Sequence, residues 1–320
     1  MLDTKSNSDW IILGEKSMDK KIEQLNKILC NQIIVNLRNL PKKLIFAGFP
    51  NPEQSNVGDY LIAAGLMKLF EILNIEYVIC KYGEDLPNYD LPILIRGCQY
   101  GSNSLAIRDI FRWFIQAKNR EIIFAPTSFA KNFGKYDALF FEIPKIKYIC
   151  FREKISEDYF KKTLRVRVPT ILLPCPSILL YDEFGTIMPK DNILIINLNT
   201  LYNELFVKTL SILKECIIVN WLWNDKDKKI LNNSSPEDSV RYAKEFAYSK
   251  LYQAKLVVSN RMHGTLIPTI LGINVVSLES TMHKVKGFYD AYLKDYPNIR
   301  FIEKSDDLDK IRKKLENFYN

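Results

Sequence analysis

Val257-Val258-Ser259-Asn260-Arg261-Met262-His263-Gly264-Thr265 is the stretch on which the reading of this chain turns. An apolar run ends on small polar residues, and Gly264 and Thr265 then open a helix, so the segment predicts a strand-to-helix turn. Other short apolar runs lie at residues 44–48, 76–80, 92–96, 121–125, 147–151, 192–198, 215–219, 255–259 and 274–278. They are near-continuous rather than alternating, which is the pattern of strands buried on both faces. Helical stretches at 59–73, 102–118 and 239–253 fall between several of them. The expected class is α/β with parallel sheets.

The most loop-like stretch between two strand-rich blocks is 181–191, which contains Asp182, Glu183, Gly185, Pro189 and Lys190. A boundary there divides the chain into two Rossmann-like, doubly wound domains, 1–185 and 186–320, facing each other across a cleft. In such sheets ligands sit at the carboxyl ends of the strands. The final stretch, 305–319, reads as an amphipathic helix with Leu308, Ile311, Leu315 and Phe318 on one side. It fits packing back on the first domain, with contact to a membrane surface as the alternative.

Composition removes several classes. The chain has 320 residues, 47% apolar and 26% charged, which excludes a disordered polymer, and its 12 Gly and 14 Pro exclude a collagenous one. No apolar run approaches the roughly 18 residues of a membrane span. Residues 1–10 carry Asp3, Lys5 and Asp9 where a secretory signal needs unbroken apolar sequence, so a cytoplasmic protein is expected. Six cysteines, none in a C-x-x-C pair, read as buried thiols rather than disulfides or a zinc site. The net charge of +8 favours anionic partners, but without a basic arm or a nucleic-acid motif. The phosphate-cradling glycine patterns of dinucleotide and nucleoside triphosphate sites are also absent.

Only His263 and His283 can supply an imidazole. Arg261, two residues before His263 at a strand end, makes an anion pocket with a proton donor; the bland alternative pairs Arg261 with a carboxylate and leaves His263 as a helix cap. Ser55-Asn56-Val57-Gly58-Asp59 precedes a helix that Asn56 and Asp59 can cap, and Gly58 permits a close approach. Arg96-Gly97-Cys98 and Arg152-Glu153-Lys154-Ile155-Ser156 also begin at strand ends. The Arg152 guanidinium could clamp a carboxylate or phosphate, or bridge to Glu153 or Glu157.

Taken in order, these segments resemble the polysaccharide pyruvyl transferase family, with its G-N-x-G-D, Gly-rich loop, P-Q-S, R-[DE]-x-x-S and R-[LM]-H-G motifs. They stand here as Ser55 to Asp59, Arg96-Gly97-Cys98, Pro126-Thr127-Ser128, Arg152 to Ser156 and Arg261-Met262-His263-Gly264, followed by Lys284-Val285-Lys286-Gly287-Phe288-Tyr289. The resemblance covers roughly residues 45–290. It implies a two-domain arrangement like that of GT-B glycosyltransferases, phosphoenolpyruvate as donor, and as acceptor a sugar of a bacterial envelope polymer or its lipid- or nucleotide-linked precursor. The product is a pyruvate ketal, made without metal or cofactor, in the cytoplasm or at the inner face of its membrane. By matched position Arg152 and Arg261 would hold the donor and His263 would act as general acid or base. Asn56, Asp59, Arg96, Ser128, Gly264, Thr265 and Lys286 would complete the binding site. Five residues in four motifs depart from the pattern: Arg96 and Cys98 in the glycine loop, Thr127 for glutamine, Cys175 in Cys175-Pro176 for Asp-Pro, and Ser55 for the first glycine. They point to a different acceptor. Two other readings share the scaffold: a glycosyltransferase with a nucleotide-sugar donor, and a binding protein without turnover.

Overall fold

A computed structural model describes residues 20–97, 99–100, 105–129, 145–163, 168–184, 192–196, 216–252, 254–279 and 284–303, with the single positions 306, 310, 313 and 314. The described residues form a mixed α/β structure with two parallel sheets. The first contains Lys43–Phe49 (β1), Glu76–Lys81 (β2), Ile93–Ile95 (β3), Ile122–Phe129 (β5), Ile146–Phe151 (β6) and Thr170–Leu172 (β7) in the order β2-β1-β3-β5-β6-β7. The two-residue Gln99–Tyr100 (β4) also pairs with β5. The second sheet has Asn192–Ile196 (β8), Cys216–Val219 (β9), Ala254–Ser259 (β10), Asn274–Leu278 (β11) and Ile299–Ile302 (β12), in the order β12-β11-β10-β8-β9.

Both orders are the doubly wound one. In each sheet the first strand lies between the second and third, so a switch point opens between β1 and β3 and again between β8 and β10. The continuous apolar runs have a direct cause in this architecture. Leu44 and Phe46 of β1 pack into one core, while Ile45 and Ala47 turn to the other face, against Trp113 and Phe114 of Leu105–Ala117 (α3). Leu94 and Ile123 share the first core; Ile93, Ile95 and Phe124 share the second.

The first core also takes in Lys20–Leu37 (α1) and Val57–Leu73 (α2) and continues to Val257 of β10 and Leu266 of Met262–Ile270 (α7). Polar ties cross the same region. Asn26 of α1 donates to Ile270 O at 2.9 Å, and the Val57 N–H at the start of α2 donates to Trp221 O at 3.2 Å. Asn56 and Leu222 form an antiparallel bridge. The first turn of α2 is thereby fixed to the segment that follows β9.

Every expected strand falls on an observed one, with 197–198 and 215 outside the described residues. β4, β7 and β12 are additional. β7 has three residues and lies in an apolar stretch interrupted by Pro174 and Pro176, while β12 is an edge strand with Arg300 exposed. The helix expected at 239–253 is Pro236–Leu251 (α6); it starts earlier because Ser235 Oγ accepts from Asp238 N at 3.1 Å and Pro236 suits the first turn. Residues 1–19, Cys98, His283, 185–191 and most of 305–319 lie outside the described residues. No helix among the described residues is long and apolar enough to cross a membrane.

Candidate active site at the strand ends

Beyond the carboxyl end of β10, Arg261 takes the N-cap position of α7 with extended backbone. Its N–H donates to Ser259 Oγ at 3.0 Å and its carbonyl accepts from Thr265 N at 2.9 Å. The turn must be tight. A Cβ on Gly264 would lie 2.4 Å from Ser259 Oγ and 3.1 Å from Ile196 Cγ2, so only glycine lets α7 sit this close to β10 and β8. Thr265 is buried with its hydroxyl 3.1 Å from Ser277 Oγ of β11. Gly264 and Thr265 thus set the angle of the turn, and the exposed Arg261 side chain makes no ion pair among the described residues.

His263, in the first turn of α7, reaches across to the other half of the molecule. Its Nε2 is 3.5 Å from Cys175 Sγ, and its ring lies against Gly58, where a Cβ would sit 2.3 Å from Nδ1. The α2 end that receives it is closed by a capping box: Asn56 Oδ1 accepts from Gly58 N at 2.8 Å, and Asp59 Oδ2 accepts from Asn56 N at 3.0 Å. Capping by Asn56 and Asp59 is as the sequence indicates.

Arg96, just past β3, is 2% exposed. It donates to Gly48 O at 2.7 Å, to Asp59 O at 2.9 Å and to Asp59 Oδ1 at 3.0 Å, and its guanidinium lies 5.3 Å from the Tyr82 ring centre. The side chain therefore ties the start of α2 to the end of β1.

Pro126-Thr127-Ser128 lies within β5 rather than after it, at a register shift beside β6. A proline cannot donate to the ladder, which accounts for the local break. Ser128 Oγ donates to Glu153 Oε2 at 2.9 Å and accepts from Arg152 Nε at 3.1 Å and Nη2 at 2.8 Å. Ser156, two residues into Lys154–Thr163 (α4), hydrogen-bonds Glu153 Oε1 and accepts from Phe129 N at 2.9 Å. Arg152, 3% exposed, is held in this buried network next to Glu153. Burial raises the Glu153 carboxyl above its ordinary value, against the opposing effects of Arg152, Ser156, Ser128 and Lys284.

Lys284, which sequence reasoning passed over, opens Lys284–Phe288 (α8). Its helix packs on the start of α4: a Cβ on Gly287 would lie 3.1 Å from Glu153 Cβ. Burial brings the Lys284 ammonium down to about 8, with Arg152 and Arg261 acting the same way and Glu153 and Asp59 opposing. Lys286, the lysine singled out in the same stretch, is instead paired with Asp290 at 2.6 Å and with Glu303 at 3.5 Å. The signal that separates them is helical spacing, since Lys286 and Asp290 are four residues apart and face one another on the surface.

Burial also drives the His263 imidazole well below its ordinary value, and the charges of Arg152, Lys284 and Arg96 add to the shift. The imidazole is neutral at physiological pH. Arg96 and Arg152, which follow strands of the first sheet, thus bear on His263 together with Lys284, and Arg261 bears on Lys284. Among the described residues no cluster of histidine, cysteine and carboxylates could hold a metal ion.

Residues 56–281 match a family model described as polysaccharide pyruvyl transferase. The crystal structure of a functionally uncharacterized protein from Klebsiella pneumoniae subsp. pneumoniae is similar in fold, with a TM-score of 0.61 and 17% identity over 86% of this chain and 98% of that one. No curated protein matches the chain in sequence.

Proposed function

The chain belongs to the polysaccharide pyruvyl transferase family, and on that footing we propose that it transfers the pyruvyl group of phosphoenolpyruvate to a sugar of a bacterial envelope polysaccharide or its carrier-linked precursor. The observation that supports the reading is that Arg152, Lys284 and Arg96 bear on the His263 imidazole and Arg261 bears on Lys284, since a donor with about three negative charges is what such a cluster accommodates. The two doubly wound sheets would serve as two lobes, divided near residue 185, with the donor between their strand ends.

In the balanced reaction the methylene carbon of the donor gains a proton and becomes a methyl group. Two sugar hydroxyl oxygens bond to the adjacent carbon, and the bond from that carbon to the phosphate oxygen breaks. One hydroxyl proton replaces the one taken up by carbon, and the other leaves on phosphate. Arg152, Arg261 and Lys284 hold the carboxylate and phosphate and neutralise the charge that collects on the leaving group. His263, neutral at rest, acts as base toward the attacking hydroxyl. Arg96 and the α2 cap hold the wall against which the imidazole rests.

The test is phosphate release from phosphoenolpyruvate in the presence of a panel of envelope glycans. Turnover with at least one acceptor is expected, and His263→Ala should abolish it while leaving the circular dichroism spectrum unchanged. Thermal stabilisation by UDP- or CMP-sugars but not by phosphoenolpyruvate would overturn the reading in favour of a glycosyltransferase.

A further inference from the structure

We propose that Cys175 is a positioning residue that fixes the neutral tautomer of His263, accepting Nε2–H on its sulfur and leaving the Nδ1 lone pair to work as the base. The inference rests on the reading of His263 given above, and it comes from the surroundings of the two ring nitrogens.

On one side, Cys175 is fully buried between β7 and the 3-10 turn Pro176–Leu180, with Sγ 3.5 Å from Nε2. Ser177 Oγ also donates to that sulfur, at 3.2 Å. The sulfur therefore already serves as an acceptor. A thiol is both a weak donor and a weak acceptor, and with the Ser177 hydroxyl already directed at the sulfur the contact accommodates a second donor, Nε2–H, at this distance.

On the other side, Nδ1 abuts Gly58 in the first turn of α2. That end of a 17-residue helix carries the positive end of its dipole. The charged groups that bear on the imidazole are Arg152 from the end of β6, Lys284 from α8 and Arg96 from the end of β3. Asp59, the carboxylate in this first turn, is turned to Arg96 and to the Asn56 N–H. A lone pair at Nδ1 is favoured in that field and an N–H bond is not. The helix side selects this tautomer and the sulfur accommodates it, and it can accept a proton from a substrate hydroxyl.

Long-range proton–nitrogen correlation spectra of the full chain read the tautomer directly, and with only two histidines a His283→Gln variant assigns the signals. The expected result at neutral pH is a protonated Nε2 and an unprotonated Nδ1. Cys175→Ala should mix the two tautomers and lower kcat by at least about tenfold, well short of the ~10⁴ of a fully wrong tautomer, with the donor KM within about twofold. Cys175→Ser, whose hydroxyl can accept the same bond, should keep the tautomer and recover most of the rate. Cys175→Asp should raise the imidazole pKa by about one unit or more and move the acid limb of kcat/KM upward with it. A wild-type spectrum with Nδ1 protonated, or a Cys175→Ala protein that keeps the tautomer and the pH profile, would overturn the proposal. Should the alanine variant fail to fold, the wild-type and serine spectra decide. The spectra need no substrate, so a protein with the expected tautomer but no phosphate release refutes the transferase reading and leaves the role of Cys175 standing.

Discussion

Gly58→Ala tests the contact on which the site depends. The added Cβ would stand 2.3 Å from His263 Nδ1, 2.8 Å from Cγ and 3.1 Å from Asn56 Oδ1, about 1 Å inside the 3.4 Å at which ordinary contact begins for the nearest atom. Something must move, and the imidazole yields before the cap, which is held by two hydrogen bonds of 2.8 Å and 3.0 Å. Overpacking of this size costs about 1–3 kcal/mol, while alanine is worth up to ~1 kcal/mol over glycine in a helix. The net loss is about 0–2 kcal/mol, or a few degrees in melting temperature. Activity should suffer far more. A shift of about 1 Å in a reacting group can cost ~10² in rate, so kcat for phosphate release should fall by about a hundredfold while the variant remains folded. The measurements are a thermal melt and steady-state phosphate release on the same preparation. Wild-type kcat/KM in a folded Gly58→Ala protein, or a rate that falls only in proportion to the unfolded fraction, would refute the placement of His263 against α2.

Lys284→Met should raise the donor KM about tenfold to a hundredfold, the worth of one charge-assisted hydrogen bond; in the wild type donor affinity should weaken as pH rises through about 8, and that limb should vanish in the variant. Because the folded pKa of Lys284 is depressed, the unfolded chain binds more protons above about 8, so this residue's contribution to stability rises with pH there, and chemical denaturation of Lys284→Met should show a flatter profile. Arg96→Met should cost about 3 kcal/mol, the low end for breaking a buried pair since the Asp59 side chain is 21% exposed, whereas Arg261→Met should raise donor KM and leave the melting temperature unchanged. His263, whose charged form is disfavoured in the folded chain, resists a proton that the unfolded chain accepts near 6.5, so stability should fall as pH drops below that value, and His263→Gln should reduce the slope in urea titrations.

Much of the fold is legible in the sequence because strands buried on both faces leave an unbroken apolar signal. β1 shows why: alternate residues enter two different cores, so none of its interior positions needs to be polar. β7 and β12 escape because three or four residues, one set bounded by prolines and the other carrying an exposed arginine, do not form such a run. In the site, Arg152, Arg261 and His263 are legible as polar residues immediately after strands. The partners that decide what they can do are not. Cys175 meets His263 across 88 residues and Ser128 meets Arg152 across 24, separations that no local pattern encodes. Lys284 is hidden for a different reason, because only the packing of Gly287 against Glu153 brings that end of α8 to Arg152 and turns one lysine of the stretch inward.

The electrostatics of the site follow from how the two sheets are joined. Arg152 is stationed by β6 and Ser128, Arg261 by the tight turn at Gly264, and Lys284 by the docking of α8, so each cation is placed by a different packing requirement. Glu153 and Asp59 act on Lys284 in the favourable direction, and burial raises the Glu153 carboxyl above its ordinary value. Burial, with repulsion from the neighbouring cations added to it, depresses both Lys284 and His263. A bound dianion or trianion reverses the sign of that field. It would hold Lys284 protonated, so the negative charge of the proposed donor would offset the repulsion among these cations.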